Sequence, residues 1–133
     1  MKFSVNQQDL QQALSYCQGV IEKRSTLPIL SNVLLDVGNS RLTIIATDLD
    51  LIFIHRISNI EVMEEGKTTT TSSIMYDIIR KFSSGKKINL TLNETNKLHL
   101  ESEKSVFNLN CISASEFPLT DEDFNQNQFT IKS

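Results

Sequence analysis

Two aspartates one residue apart, Asp48 and Asp50, are the nearest thing in this chain to a catalytic pair. Carboxylates so spaced can hold Mg²⁺ through hard oxygen ligands, and the enzyme that follows would be a metal-dependent phosphoryl or glycosyl transferase. The rest of such a site is missing: no phosphate-cradling glycine loop accompanies the pair, in a chain with only 4 glycines. His55 and His99 stand singly in apolar, alternating segments, and no Ser, His and Asp arrangement assembles around them. Cys17 and Cys111 lie far apart without CxxC or Cys/His spacing, which suits free buried thiols in a reducing compartment. What remains is positive charge in pairs, at Lys23-Arg24, Arg80-Lys81 and Lys86-Lys87. Such pairs suit phosphate. They equally suit the ends of helices, where cations meet the negative pole of the dipole.

The elements that would position these groups can be read from periodicity. KFSV (2–5) alternates as a short strand, and Asn6 follows as an N-cap. Leu10, Ala13, Leu14 and Cys17 then fall at i, i+3, i+4 and i+7, the spacing of a helix with one buried stripe, which Gly19 should end. The opposite face carries Gln8, Gln11, Gln12, Ser15 and Gln18, polar but uncharged. Strands are expected at 31–37, 41–47 and 51–57, with GNS as a hairpin turn between the first two. Their near-continuous apolar content predicts a sheet covered on one face and partly on the other. Pro28, in the approach to the first of them, restricts Leu27 to extended geometry.

An acidic loop around Glu64-Glu65-Gly66 separates this from a second passage of the same order. KTTTT (67–71) is β-branched and reads as a strand, Ser72-Ser73 supply an N-cap, and Met75, Ile78, Ile79 and Phe82 form a helical stripe ending before Gly85. Strands at 87–92, 97–102 and 105–112 complete it. The chain is an α+β protein of two β-α-β-β-β units, a duplication carried by element order more than by identity. FTIKS (129–133) repeats the opening alternation after an acidic, linker-like stretch.

Composition bounds the class. The 133 residues are 39% hydrophobic and 22% charged, which suits one globular domain. No stretch is long enough to cross a membrane, and MKFSVNQQ lacks the apolar core of a secretory signal, so the expected location is cytoplasmic. A net charge of −3 argues mildly against tight nucleic-acid binding, but acids gather at 61–65, 101–103 and 116–123, away from the basic pairs.

MKFSV (1–5), TLPILSNVLL (26–35), TDLDL (47–51) and SASEFP (113–118) together resemble the bacterial sliding clamp family, the beta subunit of DNA polymerase III, in order and spacing. The resemblance runs through the whole chain and covers the first of the three domains such clamps possess. It implies a DNA-clamp fold, with helices on one face of the sheets, lining a ring around duplex DNA. Residues 1–125 would be the N-terminal clamp domain, with half-repeats near 1–62 and 66–115, and 126–133 the truncated start of a following domain.

A clamp tethers the replicative polymerase for processive DNA replication and does no chemistry itself, with no cofactor and no metal. Its partners would be double-stranded DNA, a second clamp subunit joined head to tail through its third domain, and the polymerase and clamp loader through domains absent here; no membrane is involved. By position, the resemblance makes Arg24 a DNA contact, with Lys23, Arg80 and Lys81 as further candidates. It places Ile74, Ile78, Phe107 and Leu109 at the ring joint, although a core reading competes for each. The alternatives are the transferase built on Asp48 and Asp50, and an interaction module that never meets DNA.

Overall fold

Asn6 does cap the first helix: its Oδ1 accepts from the backbone N–H of Gln8 at 2.9 Å. A computed structural model describes residues 1–21, 32–47, 52–103 and 105–117. In chain order these form β1 (Lys2–Asn6), α1 (Gln7–Ile21), β2 (Asn32–Gly38), β3 (Arg41–Thr47), β4 (Ile52–Ile57), β5 (Ile60–Glu64), β6 (Gly66–Thr71), α2 (Ser72–Ile79), β7 (Lys87–Leu92), β8 (Lys97–Ser102) and β9 (Ser105–Ile112). A single 3-10 turn, Ala114–Glu116, follows. This is the expected α+β architecture, with each expected strand within a residue or so of its place.

Five features differ from the sequence reading. α2 ends at Ile79, so Phe82 lies beyond the helix, although it is still buried in the core. Gly19 does not end α1, which continues to Ile21. One glycine costs a helix only about 1 kcal/mol against Ala, and the buried stripe before it holds the helix. Ser72 and Ser73 do not cap α2. The N-cap is Thr71, whose side chain makes no capping bond and donates instead to Asn32 Oδ1 at 3.4 Å. Thr71 is still in the β6 ladder opposite Asn32, so the helix begins without an intervening loop. The acidic stretch is no loop either, since Ile60–Glu64 forms β5 and pairs with β1. Its acids face outward and find cations: Glu64 binds the Met1 amine at 2.8 Å and Glu61 binds Lys87. Leu109, assigned to a ring joint, is 5% exposed and belongs to the core.

The strand order is β4-β3-β2-β6-β9-β8-β7-β1-β5, antiparallel throughout. β1 therefore leaves its own half to pair with β7, and β6 pairs with β2. β4 and β5 stand at opposite ends of this order although only Ser58 and Asn59 separate them. Together they play the part that β9 plays alone, since β9 pairs with β8 and then, through Cys111 and Ile112, with β6.

Leu10, Ala13, Leu14 and Cys17 from α1 and Met75 and Ile79 from α2 are all fully buried against the inner faces of these strands. Burial pushes the Cys17 thiol up to about 12. On the outer face of the β2-β3-β4 sheet, Phe117 covers Ile45 and Ile54, flanked by Leu34 and Ile52. The expected cover on a second face thus comes from the segment after β9.

Two positions expose the tolerances of this packing. A Cβ on Gly66 would lie 2.9 Å from Met1 Cβ, whereas one on Gly38 would meet nothing nearer than Glu65 Oε2 at 3.6 Å. Gly66→Ala is expected to cost roughly 1–3 kcal/mol by overpacking, and Gly38→Ala to stay within about 0.5 kcal/mol. Urea unfolding of both variants checks the contrast.

His55 on β4 packs between Tyr16 of α1 and Phe53, with ring centroids 5.8 and 6.3 Å away. Its Nδ1 is buried and has no hydrogen-bond partner among the described residues. Desolvation lowers its pKa from the ordinary 6.5, against a smaller opposing pull from Asp9. The unfolded chain therefore binds the proton more readily, and stability is full above pH 6.5 and falls as pH drops through that value. Unfolding midpoints at pH 7.5 and 5.5 should show this loss in the parent and a smaller one in His55→Phe.

Candidate nucleic-acid interface and ring joint

Gln7 joins the two helices. It is 2% exposed, its Nε2 donates to the Ile79 carbonyl and to Gln11 Oε1, both at 2.8 Å, and its backbone N–H donates to the Lys86 carbonyl at 2.8 Å. The start of α1 is thereby tied to the end of α2 and to the turn that follows it. Gln8, Gln11, Gln12 and Ser15 of α1 consequently line one open groove of about 440 Å³ with Tyr76 of α2 and Ser84.

The basic pairs fare differently. Arg80, the C-cap of α2, lies over the Tyr76 ring, its Cζ 5.5 Å from the centroid, with Asp77 Oδ1 4.0 Å from Nη1. Its side chain is 57% exposed at the border of the groove. Lys81 Nζ lies 5.9 Å from the centroid of Phe107 on β9, and Asp77, Arg80 and Lys81 together line a second open hollow. Lys86 and Lys87 are engaged by acids from elsewhere in the fold, Glu103 at 3.3 Å and Glu61 respectively. Lys23 and Arg24 lie outside the described residues, as do Pro28, Asp48 and Asp50.

A second surface runs along α2 and the turn after it. Ile74 and Ile78 fall at i and i+4, with Lys81 continuing the stripe at i+7. Ile74 is 50% exposed, while Ile78 is partly buried against the core. Phe107 packs edge-on against Phe82, with centroids 5.4 Å apart, and accepts the Lys81 ammonium on its face. Val106, its neighbour on the opposite face of β9, is 49% exposed. Beside this cluster, the edge of β9 from 105 to 109 has no second strand among the described residues. Open edges of this kind accept a partner strand. Phe107 thus meets Phe82 and Lys81 just beyond α2, Ile74 stays exposed on the helix, and Leu109 lies in the core. Sequence reasoning missed Lys81 here, because its approach to β9 depends on the fold.

Neither histidine has catalytic company. His99 Nδ1 lies 3.0 Å from Asn108 Oδ1 and its Nε2 3.5 Å from Glu101, on an exposed sheet face. Among the described residues no group of three or more His, Cys, Asp or Glu is placed to hold a metal ion. Among the described residues, also, no helix is long and apolar enough to cross a membrane.

Comparison with known proteins gives this geometry its setting. Residues 1–121 match the family described as DNA polymerase III beta subunit, N-terminal domain. The beta sliding clamp of Caulobacter vibrioides (strain NA1000 / CB15N) is 35% identical over 125 residues, which is 92% of this chain and 33% of that protein. That of Escherichia coli (strain K12) is 33% identical over 131 residues, 98% of this chain and 36% of its own length. Among solved structures, Caulobacter crescentus pol III beta superposes with a TM-score of 0.83 at 34% identity, covering 92% of this chain and 33% of that one. The DnaN sliding clamp of Bartonella birtlesii bound to griselimycin gives 0.84 at 32% identity, covering 90% and 32%. The chain spans about a third of the length of the curated relatives it matches. By sequence and by fold, it belongs to the DNA polymerase III beta subunit family and corresponds to that family's N-terminal domain.

Proposed function

We propose that this domain is one third of a subunit of a ring-shaped sliding clamp, which encircles duplex DNA and tethers the replicative polymerase without chemistry of its own. The observation that carries the reading is the division of the fold. Two helices lie side by side with a polar face turned out, and the sheets form the opposite layer. On this reading the helices face the hole and the sheets form the outer wall. DNA contact is independent of sequence, since phosphate contacts position a protein but read no bases. Two subunits join head to tail, with the Ile74, Ile78 and Phe107 end of this domain against the third domain of the next subunit, where the open edge of β9 can accept a strand. Polymerase and clamp loader dock on the other domains.

Within the hole, Arg24 and Arg80 are the proposed phosphate contacts, with Lys23 beside Arg24. Lys81 is a DNA candidate by sequence position, but its place on Phe107 favours a role at the joint. A domain that carries a net charge of −3 can still serve, because a closed ring retains DNA by topology and needs few phosphate contacts.

Binding of the full-length ring to linear duplex across a salt series tests the DNA assignment. Arg80→Ala and Arg24→Ala should each lower the log–log slope by about 0.9 for every phosphate that the side chain neutralises. Lys87→Ala, whose ammonium Glu61 holds, should leave it unchanged. An unaltered slope in Arg80→Ala removes that residue from the interface.

Ile74→Asp tests the joint. The side chain is exposed, so domain stability should stay within about 0.5 kcal/mol while the ring dissociates to single subunits in sedimentation. A dimer of unchanged affinity would place the joint elsewhere.

A further inference from the structure

The outward stripe of α1 is polar yet carries no charge. Gln8, Gln11, Gln12 and Ser15 fall at i, i+3, i+4 and i+7, opposite the buried stripe of Leu10, Ala13, Leu14 and Cys17. A solvated helix face ordinarily carries Glu and Lys, so an all-amide stripe calls for a partner to which amides are suited. The side chains are also partly pre-set. Gln11 Oε1 is held by Gln7, Ser15 Oγ donates to the Gln12 carbonyl at 2.7 Å, and Gln12 Nε2 donates to the Tyr16 hydroxyl at 3.0 Å. The Gln8 amide and Gln11 Nε2 have no partner among the described residues, which leaves hydrogen-bond donors along the groove, while Gln12 Oε1 stays open as an acceptor for water. Of the nearby carboxylates, Asp77 lies 4.0 Å from Arg80, and Asp9 is not among the residues that line the groove.

We infer that this stripe is a charge-free hydrogen-bonding track for the sugar–phosphate backbone of duplex DNA. The inference rests on the clamp reading above and specifies how one wall of the hole meets its ligand. Amide N–H groups reach phosphate oxygens directly or through water. Being neutral, they displace no condensed counterions and add nothing to the salt dependence, which only the cations set. The cation at the border of the groove, Arg80, supplies the attraction that brings the phosphates there. The glutamines then hold the duplex off the wall with contacts that exchange readily as the ring moves.

The test compares three paired substitutions in the full-length ring: Gln8→Lys with Gln12→Lys, Gln8→Glu with Gln12→Glu, and Gln8→Ala with Gln12→Ala. Two quantities are read, the salt slope of binding to linear duplex and the diffusion of single rings along stretched duplex. The lysine pair should steepen the slope by about 0.9 for each phosphate newly neutralised and slow diffusion several-fold. The glutamate pair should shorten retention at low salt, and the alanine pair should keep the parent slope. Lysine and glutamate variants that both match the parent, while Arg80→Ala still lowers the slope, would overturn the track and leave the clamp intact. An alanine pair with a reduced slope would overturn it equally. Failure of the parent ring to be retained on duplex DNA at any salt would instead remove the clamp reading itself.

Discussion

Exchange of the first strands between the two halves is the constraint from which the rest of this structure follows. β1 lies between β5 and β7, and β6 between β2 and β9, so each half completes its sheet with a strand from the other. Removing either half would strip ladder partners from buried backbone, which is costly wherever water cannot replace them. The exchanged strands also fix the helices. α1 begins at the residue after β1 and α2 at the residue after β6, with no loop to absorb a change of direction. Because the two strands are related by the duplication, the two helices leave the sheets toward the same layer and meet there.

That meeting decides what the helical face presents. The Gln7 amide reaches the last carbonyl of α2, which also accepts the Phe82 N–H at 3.2 Å, so the helix end is closed from both halves. It thereby brings a neutral stripe from one half beside a cationic helix end from the other. Two neighbouring cations are drawn off by the same fold. Lys86 and Lys87 neighbour Arg80 in sequence, yet β7 carries Lys87 to Glu61 on β5 and Lys86 meets Glu103. Carboxylates of β5 and of the turn after β8 thus occupy these two lysines, and Arg80 stays exposed at the end of α2.

Much of this is legible in the sequence, and what is not has a physical pattern. Leu10, Ala13, Leu14 and Cys17 mark α1 because one buried stripe suffices to define a helix, and the structure buries all four. The Gly38-Asn39-Ser40 turn is legible because residues tolerant of positive φ stand where the hairpin needs them, and Asn39 and Ser40 have φ of 53° and 62°. β5 is not legible. Glu61, Glu64 and Glu65 make the stretch look like solvent-facing loop, and only the vacant side of β1 turns it into a strand. Leu109 misleads for the related reason that alternation sorts residues into two faces without saying which is covered. Within the helical site, the spacing of the glutamines is visible, but their alignment with Tyr76 and Arg80 depends on the strand exchange, which no local pattern encodes.

Arg80 shows how such a site can hold a cation ready without spending it. Its two partners are the exposed Asp77 carboxylate, 4.0 Å away, and the half-buried Tyr76 ring, while the guanidinium itself stays largely exposed. An exposed ion pair is worth about 0–1 kcal/mol and a cation–π contact of an exposed guanidinium about 0.5–1 kcal/mol, so little would be given up were the guanidinium to turn to a phosphate as proposed. A phosphate offers bidentate, charge-assisted hydrogen bonds, for which the planar guanidinium is shaped. The resting contacts therefore limit the entropy cost of binding by keeping the side chain beside the groove, and they are weak enough to be exchanged. A deeper ion pair would have fixed the arginine where the duplex could not use it. In the proposed ring, which would have to hold DNA without stopping on it, a cation restrained by shallow contacts beside a row of neutral amides would meet both demands at once.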